Sequence, residues 1–221
     1  MKRVLVINPI GHTRWDEADA KIYRSYASPD TSVEVRSLPA GPETVETYKA
    51  YLESEKYVVE LGEKLHQNYD AIIVNCFLDP GVSTLRKRIG DKVVAGPCES
   101  SLSIARFYGD IGVITVGAEE EGLTMIRERV KSLGFERNVA GVWGIPIGVA
   151  DIEKDWNKTL DLLEREAVKA KIAGADVLVL GCTGLAGLAR SLERRVHVRV
   201  IDPTWAAIKI AETLLSVGKG E

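Results

Sequence analysis

Two cysteines stand in matching sequence settings. Cys76 closes the apolar run DAIIVNC and is followed by FLDPG, while Cys182 closes ADVLVLGC and is followed by TGLAGLA. Each thiol is therefore expected where a strand pattern gives way to a turn and then to a helical pattern. A thiol at such a corner meets the unpaired amides of a helix start, which lower its pKa and make a thiolate accessible near neutral pH. Two such thiols suit proton transfer at carbon. A thiolate removes the proton next to a carbonyl from one face and a thiol returns a proton to the other, which inverts the centre without pyridoxal or metal. Corner amides and hydroxyls would hold the enolate charge. Free cysteine also behaves as a small buried hydrophobe, and Cys98, which has no counterpart of its own, is read that way.

Other polar residues fall at the ends of strand-like runs. Asn8 and Pro9 follow the first, Glu99 follows the fourth, Thr115 ends the fifth and Asp202 follows the last. His12, in the first strand-to-helix loop, is placed to line a pocket, and Phe77, Thr183 and Gly184 flank the two thiols. These residues form the expected substrate-binding set: Asn8, Pro9, His12, Phe77, Glu99, Thr115, Thr183 and Gly184. Asp79 and Asp202 each precede a proline, so they are read as supporting groups or as caps of the next helix. Glu99 has the same second explanation. GxSxG, Walker and GxGxxG motifs are missing, which removes the fingerprints of serine hydrolases, phosphate loops and dinucleotide sites. The histidines at 12, 66 and 197 have no ligand spacing, so neither a metal nor any cofactor is expected. His197, read as part of a strand HVRVI, is a poor base for a cysteine hydrolase.

These groups need elements to hold them. Short β-rich runs at 2–8, 31–38, 70–76, 92–96, 111–117, 138–147, 175–182 and 197–202 alternate with longer amphipathic stretches. That is the pattern of parallel strands covered on both faces by helices. Helical phasing is clear from Glu119 to Leu133 and from Asp155 to Ile172, and again before the strand at 70–76 and after the last strand. The grammar repeats at about half the chain length. The expected fold is therefore α/β, with two pseudo-symmetric open parallel-sheet halves. Residues 1–96 form the first half, completed by a C-terminal helix at 204–221, and residues 97–203 form the second. Chemistry in such sheets collects beyond the carboxyl ends of the strands, so the expected active site is a cleft shared by the halves.

The bulk properties agree with a small-molecule enzyme. The 221 residues, 45% hydrophobic and 28% charged, are those of an ordinary globular chain. A net charge of -3 without a dense basic stripe argues against nucleic acid as a partner. The start MKRVLVINPIG is too short in apolar residues for a signal sequence or a span of roughly 20 residues, so a cytoplasmic protein with no membrane partner is expected. Three widely separated cysteines give no disulfide framework. Trp143, Trp156 and Trp205 suit a subunit interface, and a homo-oligomer is expected.

The stretches VLVINP, IIVNCFLDPGVSTLR, VVAGPCESSLSIA, IGVITV, VLVLGCTGLAGLA and VIDPTWAAIKIAETL together resemble the aspartate/glutamate/hydantoin racemase superfamily, most closely its hydantoin and allantoin racemase branch. The resemblance runs in order along essentially the whole chain. It implies two similar α/β halves enclosing a small substrate, Cys76 and Cys182 as paired acid/base groups, no cofactor, and Asn8, Glu99 and Thr115 in or behind the pocket. The sequence departs from that branch at NPIGHT after the first strand, at Thr115-Val116 and at Asp202-Pro203. An aspartate or glutamate racemase, a maleate-isomerase-like enzyme using one thiol as nucleophile, and a non-catalytic small-molecule binding module remain as alternatives.

Overall fold

Eight short strands alternate with eight α-helices in a computed structural model that describes residues 1–90 and 92–217. The order is β1 Lys2–Asn8, α1 Asp16–Tyr26, β2 Thr31–Ser37, α2 Tyr48–Leu65, β3 Ala71–Val74, α3 Val82–Ile89, β4 Val93–Ala95 and α4 Pro97–Ala105. It continues with β5 Ile111–Val116, α5 Glu120–Ser132, β6 Val139–Ile145, α6 Trp156–Ile172, β7 Val177–Leu180, α7 Ala189–Val196, β8 Arg199–Ile201 and α8 Pro203–Ser216. The strands form two four-stranded parallel sheets of identical topology, β2-β1-β3-β4 and β6-β5-β7-β8. The chain divides into two compact units. One comprises Met1–Pro97 with the chain from Thr204 onward, and the other Cys98–Pro203.

In the first unit the strand alternation sorts side chains onto two faces. Leu5, Ile7, Ile72, Val74 and Val94 pack with Val58 and Val59 of α2 and with Val82, Leu85 and Ile89 of α3. Val4, Val6, Ile73 and Ala95 pack on the opposite face with Tyr23 of α1 and with Ala207, Ile208 and Ala211 of α8. Both faces are dry, which is why β1 reads as an unbroken apolar run. In the second unit Ile114, Leu178, Leu180 and Val200 pack with Leu160, Leu163 and Ala167 of α6 and with Leu192 and Val196 of α7.

Two of the helices open on side-chain caps. Thr47 caps α2 by accepting the Ala50 N–H at 3.2 Å, and Asp155 caps α6 through the Lys158 N–H at 3.0 Å. Helix α8 spans Pro203–Ser216, and residues 218–221 of the expected 204–221 helix lie outside the described residues. A polar clamp fastens it to its unit. The Glu212 carboxylate receives the Ser28 N–H at 2.6 Å, the Ser28 hydroxyl at 2.9 Å and the Lys209 ammonium at 2.8 Å.

Several sequence expectations shift in detail. His197 is not in a strand; it closes α7 with a left-handed backbone (φ 51°), and β8 starts at Arg199. Strand β5 runs one residue past Thr115, to Val116. Trp143 packs on the core of the second unit and Trp156 is 42% exposed, so these two tryptophans have different surroundings.

Candidate functional site

The topology marks one place in each sheet. From β1 the chain leaves toward α1 on one face, and from β3 it leaves toward α3 on the other, so the loops diverge between neighbouring strands. Such a switch point leaves a crevice outside the carboxyl ends of the strands, where ligands collect in open α/β sheets. The strand pair β5 and β7 repeats the arrangement by strand order. Register makes the correspondence specific. Ile7 pairs with Val74 in one sheet and Ile114 with Leu180 in the other, which makes Asn8 equivalent to Thr115, Asn75 to Gly181 and Cys76 to Cys182.

Hydrogen bonding follows the same equivalence. The Asn75 N–H donates to the Ile7 carbonyl at 2.8 Å, and the Gly181 N–H donates to the Ile114 carbonyl at 2.7 Å. One residue later each cysteine leaves its sheet and starts a tight turn. The Cys76 carbonyl accepts the Asp79 N–H at 2.9 Å, and the Cys182 carbonyl accepts the Leu185 N–H at 3.1 Å. Both thiols are half-buried, whereas Cys98 is fully buried in α4. The cysteines thus lie two residues past the strand ends, not on them, and α3 and α7 begin only at Val82 and Ala189. The turn-then-helix order expected after each thiol holds, but the amides nearest the sulfur belong to a short turn and not to an α-helix start. Cys182 leads into a single 3-10 turn, Thr183–Leu185, and Cys76 into the turn that ends at Asp79.

Behind Cys76 lies a connected set of polar side chains. Asn8, 2% exposed, donates both amide hydrogens, to Asp16 and to Asp19, each at 2.8 Å. Its carbonyl oxygen accepts the Asn75 amide at 2.8 Å, and the Asn75 carbonyl accepts the hydroxyl of fully buried Tyr23 at 2.9 Å. Ser37 adds a further bond to Asp16 at 2.6 Å. The second unit is simpler. Thr115 donates its hydroxyl to the Gly181 carbonyl at 2.9 Å, and Gly181 has no room for a side chain, since a Cβ there would meet Val113 at 2.9 Å and Thr115 at 3.0 Å.

A buried carboxylate also supports the loop beyond each thiol, and the two come from different places. Asp79 is 1% exposed with φ 50°, a left-handed conformation rare for a residue with a side chain. Its carboxyl group occupies the space that a Cβ at Gly96 would need, 2.3 Å away. Position 96 corresponds by register to position 202, where Asp202 itself carries the carboxylate and accepts the Gly187 N–H at 2.7 Å. Asp79 is not the cap of α3, because Gly81 holds that position, whereas Asp202 directly precedes the first residue of α8.

The remaining candidates are distributed unevenly. The Pro9 carbonyl accepts the hydroxyl of buried Ser54 at 2.8 Å. His12 is half-buried, with Nε2 3.1 Å from the Glu43 carbonyl, its ring edge-on to Trp15 at 4.9 Å and Nδ1 3.4 Å from the Arg14 N–H. Its loop is tied to the one after β2 by the Gly11 N–H, which donates to the Pro42 carbonyl at 2.9 Å. Phe77 is buried, Thr183 half-buried, and Gly184 exposed, with its missing Cβ position 3.5 Å from the Cys182 sulfur. Glu99 comes after β4 in the first turn of α4, where a carboxylate is favoured, the place its second explanation gives it. Sequence reasoning missed Asn75, Tyr23, Asp16 and Asp19. The signals were an amide directly before a cysteine and two acids three apart at a helix start. Among the described residues, no group of three or more His, Cys, Asp or Glu is arranged to hold a metal, and no helix is long and apolar enough to cross a membrane.

Comparison with known proteins adds a second kind of observation. Residues 4–211 match the family described as Asp/Glu/Hydantoin racemase. A hydantoin racemase of Pseudomonas sp. (strain NS671) is 33% identical over 98% of this chain and 87% of its own length. The structure of an allantoin racemase from Pseudomonas fluorescens superimposes with a TM-score of 0.92 at 28% identity, covering 98% of this chain and 92% of that one. An allantoin racemase from Klebsiella pneumoniae gives 0.89 at 27% identity, covering 99% and 89%.

Proposed function

Because the chain belongs to the Asp/Glu/hydantoin racemase family, and is therefore an enzyme of the racemase and isomerase kind, we propose that it inverts a carbon beside a carbonyl with Cys76 and Cys182 as its two acid/base groups. No cofactor takes part. The substrate is a 5-substituted hydantoin or allantoin. The observation that carries this reading is the repetition: both sheets present a half-buried thiol at the same register position, two residues past an inner strand and beside the switch point. A structural cysteine has no reason to recur there with the same backbone hydrogen bonds.

In one direction a thiolate takes the hydrogen at the ring carbon. The C–H bond breaks, an S–H bond forms, and the electron pair moves into the adjacent carbonyl as an enolate. The other thiol donates its proton to the opposite face and becomes the thiolate that starts the reverse reaction. Backbone N–H groups and hydroxyls of the turns after each cysteine, with Thr183 among them, hold the enolate charge. A hydantoin or allantoin ring is preferred to a dicarboxylate because a hydantoin racemase and two allantoin racemases match this chain over nearly its whole length. On this reading the enzyme works in the cytoplasm on a small molecule, and exposed Trp156 is available for a homo-oligomer contact.

The test is loss of optical rotation with single enantiomers of 5-substituted hydantoins, allantoin, aspartate and glutamate. Decay on a hydantoin or allantoin that disappears in both Cys76→Ser and Cys182→Ser supports the proposal. Decay on aspartate or glutamate alone replaces the substrate, and decay that survives either substitution removes the two-thiol mechanism.

A further inference from the structure

The two thiols have equivalent backbones but unequal support, and the difference lies in the residue that precedes each. We propose that Tyr23 and Asn75 are positioning residues for Cys76 alone, so that they govern proton removal from one enantiomer and leave the other untouched. This rests on the two-thiol reading above.

Asn75 joins Cys76 directly, and its placement is fixed three ways. Its N–H is held by Ile7, its amide nitrogen by Asn8 and its amide oxygen by the Tyr23 hydroxyl. Asn8 in turn is fixed by two carboxylates on α1, so the chain of bonds runs from the helix surface to the residue beside the thiol. The Nδ2 hydrogens of Asn8 are both committed to Asp16 and Asp19, which makes Asn8 part of this support and leaves it no amide hydrogen to give a substrate. A buried, connected polar set of this kind acts cooperatively and holds one geometry. At Cys182 the corresponding residue is Gly181, whose side of the pair is a single hydroxyl bond from Thr115. The bonds made by the Asn75 side chain therefore have no counterpart at Gly181, which has no side chain to make them. Proton transfer from carbon is sensitive to such placement, since small displacements of the base are costly.

Net racemisation cannot reveal a one-sided effect, because the equilibrium between enantiomers ties the two directions together. Hydrogen exchange in deuterated water can. In the Cys182→Ser protein only Cys76 remains; it removes the ring hydrogen of one enantiomer, its S–H exchanges with solvent, and deuterium returns to the same face. In the Cys76→Ser protein the remaining thiol does the same for the other enantiomer. The probes are the separate enantiomers of 5-isopropylhydantoin and of allantoin, followed by proton NMR, with Tyr23→Phe added to each single-thiol protein. The expected result is a loss of about fivefold to tenfold in exchange by the Cys182→Ser protein and less than about twofold in the Cys76→Ser protein. Thr115→Val should show the reverse preference. Should Tyr23→Phe destabilise the fold, exchange would fall in both proteins with a lower melting temperature; Asp19→Asn, which acts on the same chain from its half-buried outer end, must then reproduce the one-sided loss or the proposal falls. Equal effects on both enantiomers, or none, overturn this inference while leaving the racemase reading intact. No exchange in either folded single-thiol protein sinks the two-thiol reading, and this inference with it.

Discussion

Serine in place of either cysteine keeps nearly the same volume but replaces an accessible acid/base group with a hydroxyl that does not ionise in the working range. Each substitution should lower racemisation by at least about 10³-fold, toward the upper part of what general acid–base groups contribute, as read by polarimetry. Cys98→Ser should leave the rate within about twofold while lowering stability by about 1 kcal/mol, because Cys98 is fully buried and has no place in the proposed chemistry. A sharper structural test concerns Gly96. An alanine there would put its Cβ 2.3 Å from the Asp79 carboxyl group, which is itself buried and unable to swing into solvent. Gly96→Ala should therefore cost about 2 kcal/mol in urea denaturation, and an unchanged midpoint would mean that Asp79 is not fixed as described. The two thiols could be singled out from the sequence because their flanking patterns repeat. The support behind them could not, because Tyr23, Asp16 and Asp19 reach Asn8 and Asn75 only through folding, across separations that no local pattern encodes.

Among the elements, the alternation of short apolar runs with amphipathic stretches made all eight strands legible, since strands buried on both faces are apolar throughout. The pattern could not supply the points where pairing stops. The strand-like runs were read as far as Cys76 and Cys182, yet β3 and β7 end at Val74 and Leu180, and β4 and β8 pair with them only as far as Ile73 and Val179. Strand ends are set by partners, and partners are not visible in one run. Helix α8 shows a different kind of element-level control. Burial works to raise the pKa of Glu212, but the hydrogen bonds from Lys209 and the Ser28 N–H outweigh it and hold the group down at about 2, from an ordinary 4.5. A depressed acid contributes stability that is complete above pH 4.5 and drains away as the pH falls through about 2. Glu212→Gln should therefore lower stability by about 2 kcal/mol at neutral pH, and the gap between variant and parent in urea midpoint should narrow steadily below pH 4.5. A gap independent of pH would show that the clamp does not act through charge.

For the whole molecule, the notable feature is that the second unit is inserted between the parts of the first: Cys98–Pro203 is read out before the helix that covers Val4, Val6 and Ile73. Shortening the chain to end at Ile201 should leave that face of the first sheet covered by α1 alone, and the product should bind a hydrophobic dye and scatter light on warming; a monomeric product that melts like the parent would refute this. The Ser28 to Glu212 bonds join residues 184 positions apart, among the longest separations in the fold. On the ribosome this imposes a waiting time. At ordinary elongation rates roughly 5 to 20 seconds pass between completion of β4 and delivery of α8, and throughout that interval one side of the nascent first sheet has α1 but not α8 to cover it while the second unit is being made. The cell must keep that half-clad sheet from meeting its like on neighbouring ribosomes, so yield at high expression should be limited by synthesis rate rather than by the stability of the finished enzyme.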